Sequence, residues 1–292
     1  MRILVFGGTG FVGKAIVKKL IEYNYKPILF ARKSSINKLP REYIDKSEVI
    51  FGDAKELDNY ENEISNKKPD AVIYLIGLIR EFPSKGITFM DYHYNWLKKV
   101  VDISVKLNIK RFILMSANGV KKDGTTYQRT KYMGEEYLKS TNLNWTIFRP
   151  SIIIDDDELF NFKKLILELS KTIFFPIFST GKYKVSPVHR EDVAEIFVRS
   201  INIEKTYNRT FEVCGLREYT YLELVKEITK RNRRFIIPVF IPSFIILPIS
   251  RIFRYVEFFP ASDEQIKMLL EGNTCKDKTI WEILNINPRD AI

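Results

Sequence analysis

Residues 1–13, MRILVFGGTGFVG, decide how the N-terminal half of this chain folds. The apolar run Arg2–Phe6 has the length and composition of a strand that is buried on both faces. Three glycines follow it directly as G-x-x-G-x-x-G, and an amphipathic helix is expected over Phe11–Glu22. Glycines at this spacing permit a tight turn and let the backbone approach a phosphate group at the helix N-terminus, where free N–H groups point outward. The segment therefore predicts a strand, a phosphate-binding loop and a helix.

The rest of the first half alternates short apolar runs with longer amphipathic ones, as in a parallel sheet with helical crossovers. After Pro150 the pattern changes to helices and proline-broken segments. We therefore expect an α/β fold: a doubly wound parallel sheet of the Rossmann type with a smaller, mostly helical C-terminal lobe. The expected domains are residues 1–150 and 151–292, with part of 185–214 packing back on the sheet. The predicted strands of the sheet are Arg2–Phe6, Pro27–Ala31, Val49–Gly52, Ala71–Ile76, Arg111–Ser116 and Trp145–Arg149, and the main helices are Phe11–Glu22, Thr88–Leu107 and Tyr127–Ser140.

A glycine loop between such a strand and helix is typical of proteins that bind a nicotinamide dinucleotide by its pyrophosphate. NAD binders place an acid at the end of the second strand for the ribose 2′-OH, whereas this chain has Arg32 and Lys33 there. Arg32 is suited to bidentate pairing with a 2′-phosphate, so we favour NADP(H), with NAD(H) as the alternative. Asp53 is suited either to accept from the adenine amino group or to cap the next helix. The predicted contacts of the loop itself are Gly7, Thr9, Gly10, Phe11, Val12 and Gly13.

Three residues downstream form a candidate catalytic set. Tyr127 and Lys131 are four residues apart, which puts them one turn apart on one face of a helix, and Ser116 ends the preceding strand. A neighbouring ammonium would lower the pKa of the tyrosine, so Tyr127 could exchange a proton with a hydroxyl or carbonyl compound. Lys131 could also bind the nicotinamide ribose, and Ser116 the substrate oxygen. The alternative is a helix face that carries a tyrosine and a lysine without catalytic use.

Composition excludes several classes of protein. The chain has 292 residues and a formal net charge of +11, but its basic runs are short and no nucleic-acid-binding motif is present. We therefore expect no nucleic acid as a partner. Cys214 and Cys275 give neither a disulfide framework nor a metal-ligand spacing, and no metal is expected. Because no signal-peptide layout opens the sequence, we expect a cytoplasmic location, peripheral at the inner face of the membrane if the segment described next meets lipid.

Residues 230–254 combine cations with apolar side chains. Four cations lie between residues 230 and 234, and the uncharged stretch Phe235–Ser250 is too short and too broken by prolines to span a bilayer. Such a segment suits an anionic membrane surface or a partner protein. Alternatively, its apolar side chains cover the core of the C-terminal lobe; these are Phe240, Ile241, Phe244, Ile245 and Leu247.

Taken together, these residues resemble the short-chain dehydrogenase/reductase superfamily, of the extended or atypical kind that includes NAD-dependent epimerases and dehydratases. The resemblance covers most of the chain. The glycine loop matches the cofactor loop of the superfamily, and Ser116, Tyr127 and Lys131 match its catalytic set. Ser186–Ala194 also resembles the P-V-H-x-x-D-V-A segment, in which Asp192 is expected to cap a helix.

A narrower resemblance is to the Rossmann-type accessory subunit family of respiratory complex I, the NADH:ubiquinone oxidoreductase. Three stretches carry it: Tyr74–Glu81, Tyr127–Glu135 and the tail Phe259–Asn273. This resemblance implies bound NADPH, with Gly77 among its contacts, and a role in structure and assembly rather than turnover. The chain departs from these relatives at Ile152–Asp157, where they have a glycine-containing loop.

Three functional classes are consistent with the sequence. The first is an NADP(H)-holding protein related to complex I accessory subunits, with slow or no oxidoreductase turnover. The second is an active NAD(P)-dependent reductase, dehydrogenase or epimerase acting on a hydroxyl or carbonyl compound such as a nucleotide sugar. The third is a redox-sensing regulator that reads the nicotinamide pool and binds another protein. Fold alone does not choose among them.

Overall fold

The central sheet holds seven parallel strands in the order β11-β6-β5-β4-β1-β2-β3 in the computed structural model, which describes residues 1–155, 162–256 and 261–292. The expected doubly wound fold is confirmed. Asp156 and Asp157 of the predicted loop, and Phe259 and Pro260 of the tail motif, lie outside the described residues. The strands are β1 Arg2–Phe6, β2 Lys26–Ala31, β3 Glu48–Phe51, β4 Ala71–Tyr74, β5 Arg111–Met115, β6 Asn144–Pro150, β7 Ile153–Ile154, β8 Phe174–Phe178, β9 Lys184–Val185, β10 Val188–His189, β11 Arg209–Val213, β12 Tyr219–Thr220 and β13 Ile237–Ile241.

Helices cover both faces of the sheet and continue through the C-terminal part of the chain. The α-helices are α1 Phe11–Glu22, α2 Lys33–Ile36, α3 Arg41–Asp45, α4 Glu61–Lys67, α5 Trp96–Lys106, α6 Thr126–Lys139, α7 Phe162–Leu169, α8 Arg190–Arg199, α9 Tyr221–Arg231, α10 Ser243–Ile252, α11 Asp263–Leu270 and α12 Thr279–Ile283. A π-helical turn over Asp91–Asn95 precedes α5, so the predicted helix Thr88–Leu107 is divided in two.

The first strand shows why the sheet is buried on both faces. Its side chains alternate in direction, so Ile3 and Val5 join the core beneath α1 and α8, while Leu4 and Phe6 join the core beneath α5. All four are at most 1% exposed. The continuous apolar run in the sequence follows from burial on both faces.

The order of the strands reverses next to β1. This strand pairs with β2 on one side and with β4 on the other, and all of these pairs are parallel. In such a sheet the connections after the two neighbouring strands leave in opposite directions and open a crevice at the carboxyl ends. The glycine loop, which follows β1, therefore lies at the mouth of that crevice.

The part of the chain after Pro150 contributes one strand to the central sheet and also forms a separate lobe. β11 pairs in parallel with β6 and becomes the edge of the central sheet, while β8 and β13 form a separate parallel pair. A further apolar core, around Phe175 and Leu224, lies beneath α7 and α9, apart from the two cores on the faces of the central sheet. The proposed division at residues 150 and 151 stays a prediction.

Cys214 and Cys275 form a disulfide, although their number and spacing predict no disulfide framework. Their Cα atoms are 5.8 Å apart although 61 residues separate them in the chain. Cys214 follows β11, and Cys275 follows the tail segment, so the bond joins the edge of the sheet to the C-terminal residues. One pair at long separation leaves no spacing pattern in a sequence, because only the tertiary structure brings the two residues together.

The segment after the basic run is a strand and a helix with an exposed apolar side. Phe235, Phe244 and Ile252 are between 75% and 77% exposed, so they do not cover a core. Ile246 is buried, and Ile241 and Leu247 pack beside it. The alternative that this segment only covers the lobe's core is therefore wrong for its outward side, which we call the 235–252 surface. Among the described residues, no helix has the length and apolar character needed to cross a bilayer.

Replacing Gly13 tests how tightly the glycine loop packs against α1. A Cβ atom added there would lie 2.2 Å from the Gly7 carbonyl oxygen, so Gly13→Ala must separate α1 from the loop. We expect a loss of about 1–3 kcal/mol in the free energy of unfolding, measured by urea denaturation. Gly77→Ala is the matched control, because its added methyl would meet nothing closer than 3.4 Å. Equal stability of the two variants would contradict this account of the loop.

Candidate functional site

The glycine loop presents the start of α1 to the crevice. Gly7 has a φ of 83°, in the left-handed region that favours glycine, and its carbonyl accepts the N–H of Gly10 at 3.0 Å. The helix begins at Phe11, and Gly10 at its N-cap offers no side chain to bind the first N–H groups. These N–H groups and the helix dipole favour an anion at this position. The geometry fits the pyrophosphate of a dinucleotide.

A cavity of about 330 Å³ lies beside this loop. Six of the predicted cofactor contacts line it: Gly7, Thr9, Gly10, Arg32, Asp53 and Gly77. Val12 and Gly13 are buried beneath the loop, and Phe11 packs against the core with Arg190 over its ring. Lys33 is exposed and outside the described lining, whereas Lys38 lies within it. Lys38 was not predicted, because only the cations adjacent to the end of β2 were considered.

The far end of the cavity has an aromatic wall that the sequence analysis did not identify. Tyr92 and Trp96 lie with ring centroids 4.0 Å apart, and both line the cavity. Burial raises the pKa of Tyr92, while the charge of Arg32 opposes that shift and the charge of Asp53 adds to it, so these groups lie close together. Tyr92 belongs to the π-helical turn, a feature often found at functional sites. The π-helical turn points to Tyr92 as a site residue, but the turn is visible only in the three-dimensional structure.

Asp53 fulfils one of the two roles that the sequence left open, the cap of a helix, and its contact with an adenine stays a prediction. Its carboxylate accepts the N–H of Lys55 at 3.0 Å and so caps the helical turn that follows β3. The same residue lines the cavity. This capping hydrogen bond holds the Asp53 side chain in one orientation. Its second carboxylate oxygen is thereby left able to accept a hydrogen bond from a bound base.

Tyr127 and Lys131 lie together, and Lys131 approaches Gly77 in the wall of the crevice. The ammonium nitrogen of Lys131 is 5.6 Å from the centre of the tyrosine ring. A Cβ atom added at Gly77 would lie 3.4 Å from that nitrogen and 3.8 Å from Nε2 of His93, which places Lys131 at the carboxyl end of β4. The helix α6 thus brings Lys131 to the wall that carries Gly77.

The pKa of Tyr127 is shifted in the direction opposite to the one predicted. Burial raises the pKa of Tyr127 above its ordinary value, although the sequence had predicted a lower pKa next to an ammonium. The cause is its apolar surroundings, since Phe89 and His93 meet the ring edge-on at 5.5 and 5.1 Å. Burial also lowers the pKa of Lys131 to about 8, with Glu135 acting in the opposite direction. Tyr127 is therefore a neutral phenol at neutral pH, able to donate a hydrogen bond but not present as a phenolate that could accept a proton.

The hydroxyl of Ser116 binds another residue of the protein rather than Tyr127 or Lys131. Its hydroxyl donates to the carboxylate of Glu135, which is fully buried and also pairs with Arg149. Asn118, two residues further on, lines the space next to Tyr127 instead. The structure thus brings Tyr127 and Lys131 together, while the proposed role of Ser116 in holding a substrate oxygen stays a prediction.

The three stretches that carry the narrower resemblance meet at this site. Arg80, from the first stretch, donates to the backbone carbonyls of Arg254 and Val256, each at 2.8 Å. Glu264, from the tail, accepts the N–H groups of Thr126 and Tyr127 and so caps α6 from another part of the chain. Residues far apart in the sequence therefore form one unit around the tyrosine.

A protein family described as NAD(P)H-binding matches residues 7–204. The chain is 26% identical to the mitochondrial NADH-ubiquinone oxidoreductase 40 kDa subunit of Neurospora crassa, over 98% of this chain and 75% of that protein. It is 27% identical to the mitochondrial NADH dehydrogenase [ubiquinone] 1 alpha subcomplex subunit 9 of Rattus norvegicus, over 88% of this chain and 68% of that protein. The UDP-glucuronic acid 4-epimerase of Bacillus cereus, solved in complex with NAD, shares the fold with a TM-score of 0.69 and 16% identity, over 83% and 88% of the two chains. These matches confirm the resemblances that were predicted from the sequence.

The same comparisons correct the expected location. Both sequence relatives are named as mitochondrial proteins, so the expectation of a cytoplasmic protein, peripheral at the inner face of the membrane, is contradicted. That expectation was a default, drawn from a missing signal pattern rather than from any residue that reports a compartment.

The lowered pKa of Lys131 gives a test of its burial. The ordinary pKa of a lysine, 10.5, falls here to about 8, so the charged side chain destabilises the fold below pH 8. This penalty disappears as the pH rises from 8 to 10.5. We therefore expect Lys131→Met to unfold at higher urea concentration than the parent protein at pH 7, with the difference shrinking above pH 8.

Lys46→Met is the matched control, because the Lys46 side chain is 53% exposed and binds Glu42 at the surface. It should show no comparable gain at pH 7. A stability difference for Lys131→Met that stays constant from pH 7 to 10.5 would contradict the burial of a titrating ammonium.

Proposed function

Since the chain belongs to the NAD(P)H-binding family, we propose that it holds NADP(H) in the crevice and works as a subunit of a larger protein assembly, with slow or no turnover. The observation that carries the cofactor assignment is the cation Arg32 in the lining of the crevice, with Lys38 beside it. The pyrophosphate would bind at the start of α1, and the 2′-phosphate at the end of β2. When bound, the nicotinamide would supply a hydride.

The preference for NADP(H) follows from charge at the adenine end. β2 ends in Ala31, and the next side chain, Arg32, is exposed and extends toward the cavity that also holds Lys38. A guanidinium forms bidentate, charge-assisted hydrogen bonds with a phosphate, which NAD(H) lacks at the 2′ position. Asp53 is suited to the adenine amino group, because it lies across the cavity with its carboxylate already oriented.

The structure also supports slow or absent turnover. The candidate serine is hydrogen-bonded to Glu135, and burial, which raises the pKa of Tyr127, keeps that phenol protonated at neutral pH, so that little phenolate is present to act as a base. Both features disfavour the removal of a proton from a substrate hydroxyl at neutral pH. A protein that binds the cofactor for stability or for assembly does not require either function.

The assembly role is supported by the relatives and by the 235–252 surface. The relatives are named as subunits of the mitochondrial NADH dehydrogenase. This chain exposes Phe235, just before β13, and Phe244 and Ile252 on α10. Large exposed apolar surfaces mark sites of association. We propose that a partner protein covers this surface, with an anionic membrane as the alternative occupant.

Replacing Arg32 tests the cofactor assignment. A charge-assisted hydrogen bond contributes roughly 1.5–3 kcal/mol, so Arg32→Ala should weaken NADPH binding about 10- to 100-fold and change NADH binding little. The measurement is a fluorescence titration of nucleotide-free protein with each nucleotide. The parent protein should bind NADPH more tightly than NADH.

Arg41→Ala is the matched control, because the Arg41 side chain is 87% exposed on α3 and pairs with Asp45. Its affinity for NADPH should equal that of the parent protein. Parent protein that prefers NADH, or an equal loss for both nucleotides in Arg32→Ala, would overturn the assignment of a 2′-phosphate site.

The occupant of the 235–252 surface is tested with liposomes. If a protein covers this surface, the purified chain should stay in the supernatant when anionic liposomes are sedimented at low salt. Co-sedimentation that Phe244→Ser abolishes would instead assign the surface to a membrane.

A further inference from the structure

A second cavity, of about 280 Å³, is lined by Tyr127 and shares no described lining residue with the crevice at the glycine loop. It is formed by the ends of α6, α7 and α11 together with the loops after β5 and β6. Its walls are mainly aliphatic and aromatic side chains, among them Ile152, Phe162, Leu165, Ile166, Phe178 and Leu269. This cavity belongs to the C-terminal part of the chain, which the sequence analysis could not interpret.

The charged side chains that line the cavity decide which kinds of ligand it excludes. No lysine or arginine lines it in the described part of the chain, and Glu271 does. A nucleotide sugar carries a diphosphate, which requires cationic or N–H partners when it leaves water. The cavity therefore lacks the chemistry for the kind of substrate named for the epimerase that shares this fold.

The polar side chains of the lining are already engaged by the protein. Asn118 donates to the carbonyl of Thr274 at 2.8 Å, and its own oxygen accepts the N–H of Gly119. Gln128 donates to the Gly119 carbonyl at 2.9 Å and to Glu271 at 3.0 Å. These groups stabilise the walls and leave little hydrogen-bonding capacity for a ligand.

Two phenol groups differ from this pattern. The hydroxyls of Tyr127 and Tyr221 make no hydrogen bond to any residue within the described ranges 1–155, 162–256 and 261–292, and both residues line the cavity. Burial raises the pKa of each, so both are neutral donors. The Tyr127 ring also lies 5.6 Å from the ammonium of Lys131, which in turn lies near Gly77 of the crevice.

We propose that this cavity binds an uncharged, apolar small molecule that bears an oxygen, such as an alkyl or prenyl ketone, with the oxygen at Tyr127. The aliphatic walls accept the hydrocarbon part, because burial of apolar surface contributes about 25 cal/mol per Å². The phenol of Tyr127 donates to the oxygen. The inference rests on the proposed function only in placing the ligand next to the cofactor crevice, and it requires no turnover.

The experiment uses the full chain and Nile red, an uncharged dye whose fluorescence rises in apolar surroundings. We expect the dye to bind and 2-undecanone to displace it, whereas UDP-glucose should not. Undecane, which has the same chain without the oxygen, should compete more weakly than the ketone. In Tyr127→Phe this advantage of the ketone should disappear, because the hydrogen bond is removed while the wall is retained.

Two variants place an ammonium at the cavity wall, and a third supplies the matched control. Ile79 is 69% exposed and Leu165 is 36% exposed, so Ile79→Lys and Leu165→Lys should fold, and each should weaken dye and ketone binding at least about tenfold. Ile252→Lys makes the same change on the 235–252 surface, where the side chain is 77% exposed. It should leave ketone displacement unchanged.

The results separate this inference from the cofactor assignment, since NADPH is titrated in every variant. Loss of ketone binding with normal NADPH binding in the two cavity variants supports the proposal. Displacement of the dye by UDP-glucose, or a dye signal that Ile252→Lys abolishes and the cavity variants retain, would overturn it. Ketone binding in a parent protein that binds no NADPH would overturn the proposed cofactor and leave the apolar site standing.

Discussion

The contact between Gly13 and the Gly7 carbonyl is the constraint on which the rest of the site depends. It brings the start of α1 so close to the end of β1 that not even a methyl group fits between them. This closeness directs the first N–H groups of the helix into the crevice at the point where the strand order reverses. The remaining features of the crevice are side chains added around that backbone arrangement: a cation, a capped aspartate and an aromatic wall.

Tyr127 lines the apolar cavity, whose described lining lacks cations, and its neighbour Lys131 lies near Gly77 of the polar crevice. The crevice itself presents a helix N-terminus and Arg32. The tyrosine is held there by Glu264, which caps its helix from the tail, and by aromatic contacts to Phe89 and His93. The same enclosure that fixes its position also raises its pKa. The fixed position of the tyrosine and its neutral, protonated state thus have one physical cause.

A buried carboxylate links the central sheet to α6. Glu135 pairs with Arg149 of β6 and accepts from Ser116 at the end of β5, so two strands and the helix are joined in one polar cluster. It lies one turn after Lys131 and favours the charged form of that lysine, against the stronger effect of burial. A serine that resembles a catalytic residue therefore has a structural partner here. The short distance in sequence between Ser116 and Tyr127 gave no sign of this.

The sequence by itself determined the sheet, the glycine loop and the pairing of Tyr127 with Lys131, because each depends on local periodicity or on spacing within one helix or turn. Strand boundaries were predicted within a few residues, and the helix Phe11–Glu22 was predicted with its observed limits. The tertiary structure alone decided the rest: Lys38 and Trp96 in the crevice, the disulfide between Cys214 and Cys275, the cap by Glu264 and the apolar cavity. All of these join residues far apart in the chain. The direction of the Tyr127 pKa shift belongs with them, since local spacing reports which charge is near but not how much water the surrounding elements exclude.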